Sequence, residues 1–95
     1  MDANFWFEDV WENERSLGYC ADYQEVSAAI DAFIAQCNEK WHRNFKRYYT
    51  RAWEQEDGRI RFDVGSHSEY FLWKQPDGID IFRKETVRWQ RKICF

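Results

Sequence analysis

Ninety-five residues suffice for one domain with one core and little more. At 44% hydrophobic and 33% charged, the composition excludes a disordered chain, and no apolar run approaches the roughly 20 residues of a membrane-spanning helix. The net charge of −3 hides an asymmetry: residues 1–41 hold nine acids against Arg15 and Lys40, whereas residues 42–95 hold twelve Lys and Arg against eight acids. Folding either interleaves the two halves in salt bridges or leaves faces of opposite sign that steer a charged partner.

In chain order, Asn4 to Trp11 predicts a strand, with Phe5 and Phe7 on one side, Trp11 in their register, and Trp6 and Glu8 on the other. Glu12 to Arg15 reads as a polar break, and Ser16 to Cys20 as a short return strand completing a hairpin. Asp22 with Glu25 fits a capping box. Behind it Val26, Ala29, Ile30, Phe33, Ile34, Cys37 and Trp41 recur at three- and four-residue steps, which predicts an amphipathic helix over 22–41. Lys40, His42 and Arg43 put positive charge at its C-terminal end, where the helix dipole favours it.

The period then changes to two. Phe45 to Glu54 reads as a strand, Asp57-Gly58 as a hairpin turn, and Ile60, Phe62 and Val64 as the buried side of a second strand. Gly65 to Ser68 makes a turn into a third strand, Glu69 to Lys74, and Gln75 to Gly78 closes the meander. The last segment fits a helix over about 79–91, although Val87, Trp89, Ile93 and Phe95 also share one side of a strand. The expected fold class is therefore α+β. A hairpin and a three-stranded antiparallel meander surround one central helix in a single domain, residues 1–95.

No catalytic constellation emerges. Ser66, His67, Ser68 and Glu69 supply nucleophile, base and carboxylate as residue types, but neighbours in a turn rarely meet in triad geometry. His42 and His67 are far apart, and Cys20, Cys37 and Cys94 form no CxxC pair, so neither a metal site, a cofactor nor a disulfide framework is expected. The three cysteines read as reduced thiols. The acidic start lacks the positive region of a secretory signal, and a cytoplasmic location is the expectation.

Binding is the better prospect. Aromatic residues make up 20% of the chain, six of them Trp, and so small a core cannot hide them all; half-exposed aromatics are favoured interface anchors. Asp9, Trp11, Glu12 and Glu14 cluster at a strand end and turn, where they are the candidate partner-binding residues, able to present negative charge to a basic groove. The alternative is single-stranded nucleic acid on Arg47, Tyr49 and Arg51, with Arg88 and Arg91, since bases stack on aromatics while arginines hold phosphates. Against it, the arginines can pair with internal carboxylates, Tyr48, Tyr49 and Trp53 can face the core, and the pI of 5.4 is far from basic. A third reading is self-association through a sheet edge or aromatic patch, giving a homodimer.

The stretch YYTRAWEQEDGRIRFDVGSHSEYFLW, with the preceding LGYCADYQEVSAAIDAFIAQCN, resembles small accessory proteins encoded by phages and integrative elements of bacteria. In that group a helix is followed by two strands and a Gly-Ser-His/Trp-Ser/Thr turn into an aromatic strand. The resemblance spans about residues 16–73 and stops before the segment after Pro76. The group includes anti-CRISPR-like anti-defence proteins, so the resemblance implies a short, cytosolic, non-enzymatic inhibitor. Its partner would be a host protein such as a nucleic-acid-binding defence effector.

Overall fold

The computed structural model describes residues 2–66 and 68–76. Strands β1 (Phe5–Glu8) and β2 (Glu14–Gly18) form a hairpin, and helix α1 (Tyr23–Trp41) follows. Strands β3 (Arg51–Glu54), β4 (Ile60–Asp63) and β5 (Tyr70–Trp73) then make the meander. β5 pairs with β1, so the two units join into one five-stranded sheet in the order β2-β1-β5-β4-β3, antiparallel throughout. The α+β hairpin-plus-meander architecture is the one the sequence predicts. The helix-or-strand question over 79–91 lies outside the described residues.

The helix starts where the capping box places it. The Asp22 carboxylate accepts from the Glu25 amide at 2.9 Å, and Glu25 reaches back to the Ala21 amide. The first bond satisfies a donor that the first helical turn cannot satisfy itself, and the second ties down the residue before the cap. The last turn ends on His42 in the left-handed conformation. Val26, Ile30, Phe33, Ile34 and Cys37 are buried, so the apolar stripe is the core face, but Trp41, its last member, is exposed.

Strand parity decides the rest of the core. Phe5 and Phe7 face the helix, opposite Trp73 and Phe71 on β5. Phe7, Phe33 and Phe71 meet with ring centroids 4.5–5.7 Å apart, tilted or edge-on, the arrangement that aromatic quadrupoles prefer. Ile60, Phe62 and Val64 are buried, as alternation requires. Trp73 is fully buried and donates its indole N–H to the Cys20 carbonyl at 3.0 Å. Asn4 completes this corner. Its side chain accepts from the Cys20 amide and donates to the Cys20 and Lys74 carbonyls, tying the loop before the helix to β1 and the end of β5.

On the opposite face of the sheet two arginines lie over aromatic rings. Arg59 covers Trp6 and is held by Glu14 and Asp57, while Arg61 covers Tyr70 and pairs with Glu8. Together with Arg47–Asp31, these bridges join acids of the first half to bases of the second, so the two halves interleave.

Several boundaries differ from the sequence reading. β1 ends at Glu8, and β2 begins at Glu14, inside the expected polar break. Both are paired over the span where their backbones meet, and an edge strand tolerates polar side chains on its solvent side. Of the expected strand Phe45 to Glu54, only Arg51–Glu54 is strand. Asn38 clips the Phe45 backbone to the helix through two 2.8 Å hydrogen bonds, and that diverts the chain. The same diversion separates Arg47 from Arg51: Arg47 reaches the helix, and Arg51 lies beside Asp63.

Candidate functional site

A groove of about 880 Å³ opens between the β1–β2 hairpin and the C-terminal half of α1. Its floor is made by Phe7, Phe33 and Cys37, the outer part of the core. Its walls are Val10 and Trp11 from the hairpin and Trp41 from the last helical turn, exposed by 48%, 78% and 61%. Large side chains standing this far into solvent around a buried apolar floor resemble in composition the cores of protein interfaces.

Local sequence explains why Trp11 stands there. The Asp9 amide bonds the Asn13 carbonyl, and the Glu12 amide bonds the Asp9 carbonyl. One oxygen of the Asp9 carboxylate accepts from the amides of both Trp11 and Asn13 at 2.9 Å. Glu12 takes a left-handed conformation, φ 65°. Asp9 is thus the residue that shapes the turn and points Trp11 outward, an Asx-type role natural to a short carboxylate. Trp41 is set by the helix end, with Lys40 Nζ 5.2 Å from its ring centroid.

At the inner end of the groove Arg43 pairs with Glu69, whose side chain is only 6% exposed. Two hydrogen bonds join them, and the Glu69 partner holds the Arg43 guanidinium more firmly protonated than usual. Burial pushes the Cys37 thiol above its ordinary pKa, so at neutral pH the floor presents a neutral, weakly reactive group. Cys20, away from the groove, is pushed up to about 11, first by burial and then by the nearby Glu25 and Asp22 carboxylates.

Of the four residues expected to bind a partner, Asp9, Trp11 and Glu14 line this groove, and Glu12 sits in the turn between them. Their charges are not equally available. Asp9 is engaged by its own turn, and Glu14 forms two hydrogen bonds with Arg59 that hold its carboxyl below the usual range. The Glu12 carboxylate has no hydrogen-bond or ion-pair partner among the described residues. Sequence reasoning missed Trp41, Val10 and the Arg43–Glu69 pair. The apolar stripe gave Trp41 to the core, and nothing in the spacing foretells that the helix outruns the sheet.

Of the alternative, nucleic-acid set, Tyr49 and Arg51 lie together, with the Arg51 guanidinium 5.5 Å from the Tyr49 ring centroid and both reaching Asp63, whereas Arg47 turns away to the helix. Arg47 bonds Thr50, the Ser27 carbonyl and Asp31, Arg51 bonds Asp63, and the Tyr49 ring lies against Gly65, whose φ of 82° and missing side chain make room for it. Tyr48, Tyr49 and Trp53, expected to face the core if not a ligand, are exposed. Arg88, Arg91, His67 and Cys94 lie outside the described residues. Among the described residues no cluster of His, Cys, Asp and Glu could hold a metal ion, and no helix is long and apolar enough to cross a membrane. Comparison with protein-family models, curated proteins and solved structures finds no match.

Proposed function

We propose that this chain is a non-enzymatic binding protein, carried by a phage or mobile element, that inhibits a bacterial defence protein by direct contact in the cytoplasm. The observation that carries the binding role is the groove walled by Val10, Trp11 and Trp41 over the floor of Phe7, Phe33 and Cys37. Aromatic anchors of this kind, desolvated when a partner covers them, supply most of the energy of typical interfaces. The inhibitory role comes from the resemblance over residues 16–73. Because Asp9 and Glu14 are engaged within the chain, mimicry of phosphates rests mainly on Glu12, and the aromatic walls take the larger share of recognition.

The nucleic-acid reading draws less support, since Arg47 and Arg51 are already bound to Asp31 and Asp63. The test is phage plating on bacterial strains that each carry one defined defence system and express the chain. The expected result is restored plating on at least one strain, lost with the double variant Trp11→Ala/Trp41→Ala. Unrestored plating on every strain, together with tight binding of single-stranded DNA or RNA that Arg47→Ala abolishes, would replace this reading with the nucleic-acid one.

A further inference from the structure

The groove runs along the outer strand of the sheet. β2 has one hydrogen-bonded neighbour, β1, among the described residues, and Glu14, Arg15, Ser16 and Gly18 are exposed. Register fixes which backbone groups are free. The Asp9 amide bonds Asn13, and antiparallel pairs alternate between bonded and non-bonded, so Phe7–Arg15 is the next bonded pair. The amides and carbonyls of Glu14 and Ser16 therefore point away from β1. Arg15, opposite the core residue Phe7, shares the helix-facing side. Between that side of β2 and α1 the depression continues past Arg15 and Leu17 to Gln36 and Lys40.

We infer that the groove takes an extended peptide segment of a partner protein, which pairs with the β2 edge and drops alternate large apolar side chains between β2 and α1. This deepens the binding role above and rests on it. Three observations converge. Outward backbone donors and acceptors at Glu14 and Ser16 match only an extended chain. Side chains of an added strand alternate between faces, so every second one meets the apolar floor at Phe33 and Cys37 and the wall at Trp41. The Arg15 side chain has no hydrogen-bond or ion-pair partner among the described residues, and the neighbouring carboxylates Glu14 and Glu69 are bound to Arg59 and Arg43. Charge complementarity therefore places an acidic residue of the peptide beside Arg15. A helical occupant would leave the Glu14 and Ser16 edge groups without partners.

The probe is a displayed library of random twelve-residue peptides, panned against the full chain. Enriched peptides are resynthesised and scanned with N-methyl groups, one amide at a time. The expected sequences carry large apolar residues at every second position and an Asp or Glu. N-methylation should weaken binding at least tenfold at alternate amides and little at those between. Ser16→Pro removes an outward N–H without touching the β1 pairing, and Trp41→Ala removes a wall; each should weaken binding tenfold or more, while Tyr48→Ala, whose backbone bonds Val64 beyond β4 and which does not line the groove, should not. If Ser16→Pro fails to fold, the N-methyl scan and Trp41→Ala decide. No enrichment, a three-and-four-residue apolar spacing, or binding indifferent to Trp41→Ala and to N-methylation overturns the inference. Peptides bound as expected with no restored plating would remove the inhibitor reading and leave the groove. Restored plating that survives both Ser16→Pro and Trp41→Ala would do the reverse.

Discussion

Phe33 joins the fold to the groove, and truncating it separates the two contributions. Its ring is 8% exposed, lies 4.5 Å from that of Phe7 and meets Phe71 edge-on at 5.7 Å. Phe33→Ala removes a buried ring and leaves a cavity between helix and sheet, a change that costs about 3–5 kcal/mol. The lower end applies because the groove already opens one side of the site to solvent. In a domain this size 1 kcal/mol moves the melting midpoint by about 4–8 °C, so the variant should melt at least about 12 °C below the parent. The two tryptophans above it should behave oppositely: exposed side chains change stability by roughly 0.5 kcal/mol or less, so Trp11→Ala and Trp41→Ala should melt with the parent. Calorimetry of the three variants is the assay. A Phe33→Ala midpoint within a few degrees of the parent would show that the helix does not pack on β1 and β5 as described.

Other consequences can be checked singly. Arg43→Ala strands the nearly buried Glu69 carboxylate; with Arg43 itself about a third exposed, the cost should fall to about 1–3 kcal/mol, below that of a fully buried pair, and Arg43→Met/Glu69→Leu should recover most of it in urea unfolding. Asn4→Ala deprives the buried Cys20 amide of its acceptor, which should cost about 1–3 kcal/mol and speed exchange of that amide by NMR. Glu14 supplies a pH signature. The hydrogen bond from Arg59 depresses its carboxyl, so its contribution is present above the unfolded pKa near 4.5 and is lost as pH falls through the lower folded value. Urea midpoints of parent and Glu14→Gln should differ at pH 7 and converge below pH 4; a gap that widens in acid would contradict the Glu14–Arg59 pairing.

Local rules made much of this molecule legible. The Asp22–Glu25 box and the Val26–Cys37 stripe located the helix because capping and amphipathicity act within a few residues. Alternation found the buried sides of β1 and β4 because each strand has one face on the core. Closures outside the regular elements were hidden. Asn38 holding Phe45, Asn4 holding Cys20, and the pairing of β5 with β1 each join residues whose partnership no spacing encodes. The site was half legible for the same reason. Asp9, Trp11, Glu12 and Glu14 sit within one turn and were found together, whereas the opposing wall at Trp41 arrives from the far end of the helix. That Glu14 is paired was hidden too, because Arg59, 45 residues away, cannot be assigned to it from sequence.

A protein partner gripped between β2 and α1 would shield that edge from solvent. Amide hydrogen exchange of the chain, alone and with the defence protein whose inhibition the plating identifies, tests it directly. The expected result is strong protection at Glu14 and Ser16 and around Trp11 and Trp41, with β3 unchanged. Protection confined to β3 and the Arg47–Arg51 stretch, with Glu14 and Ser16 exchanging as in the free chain, would contradict it.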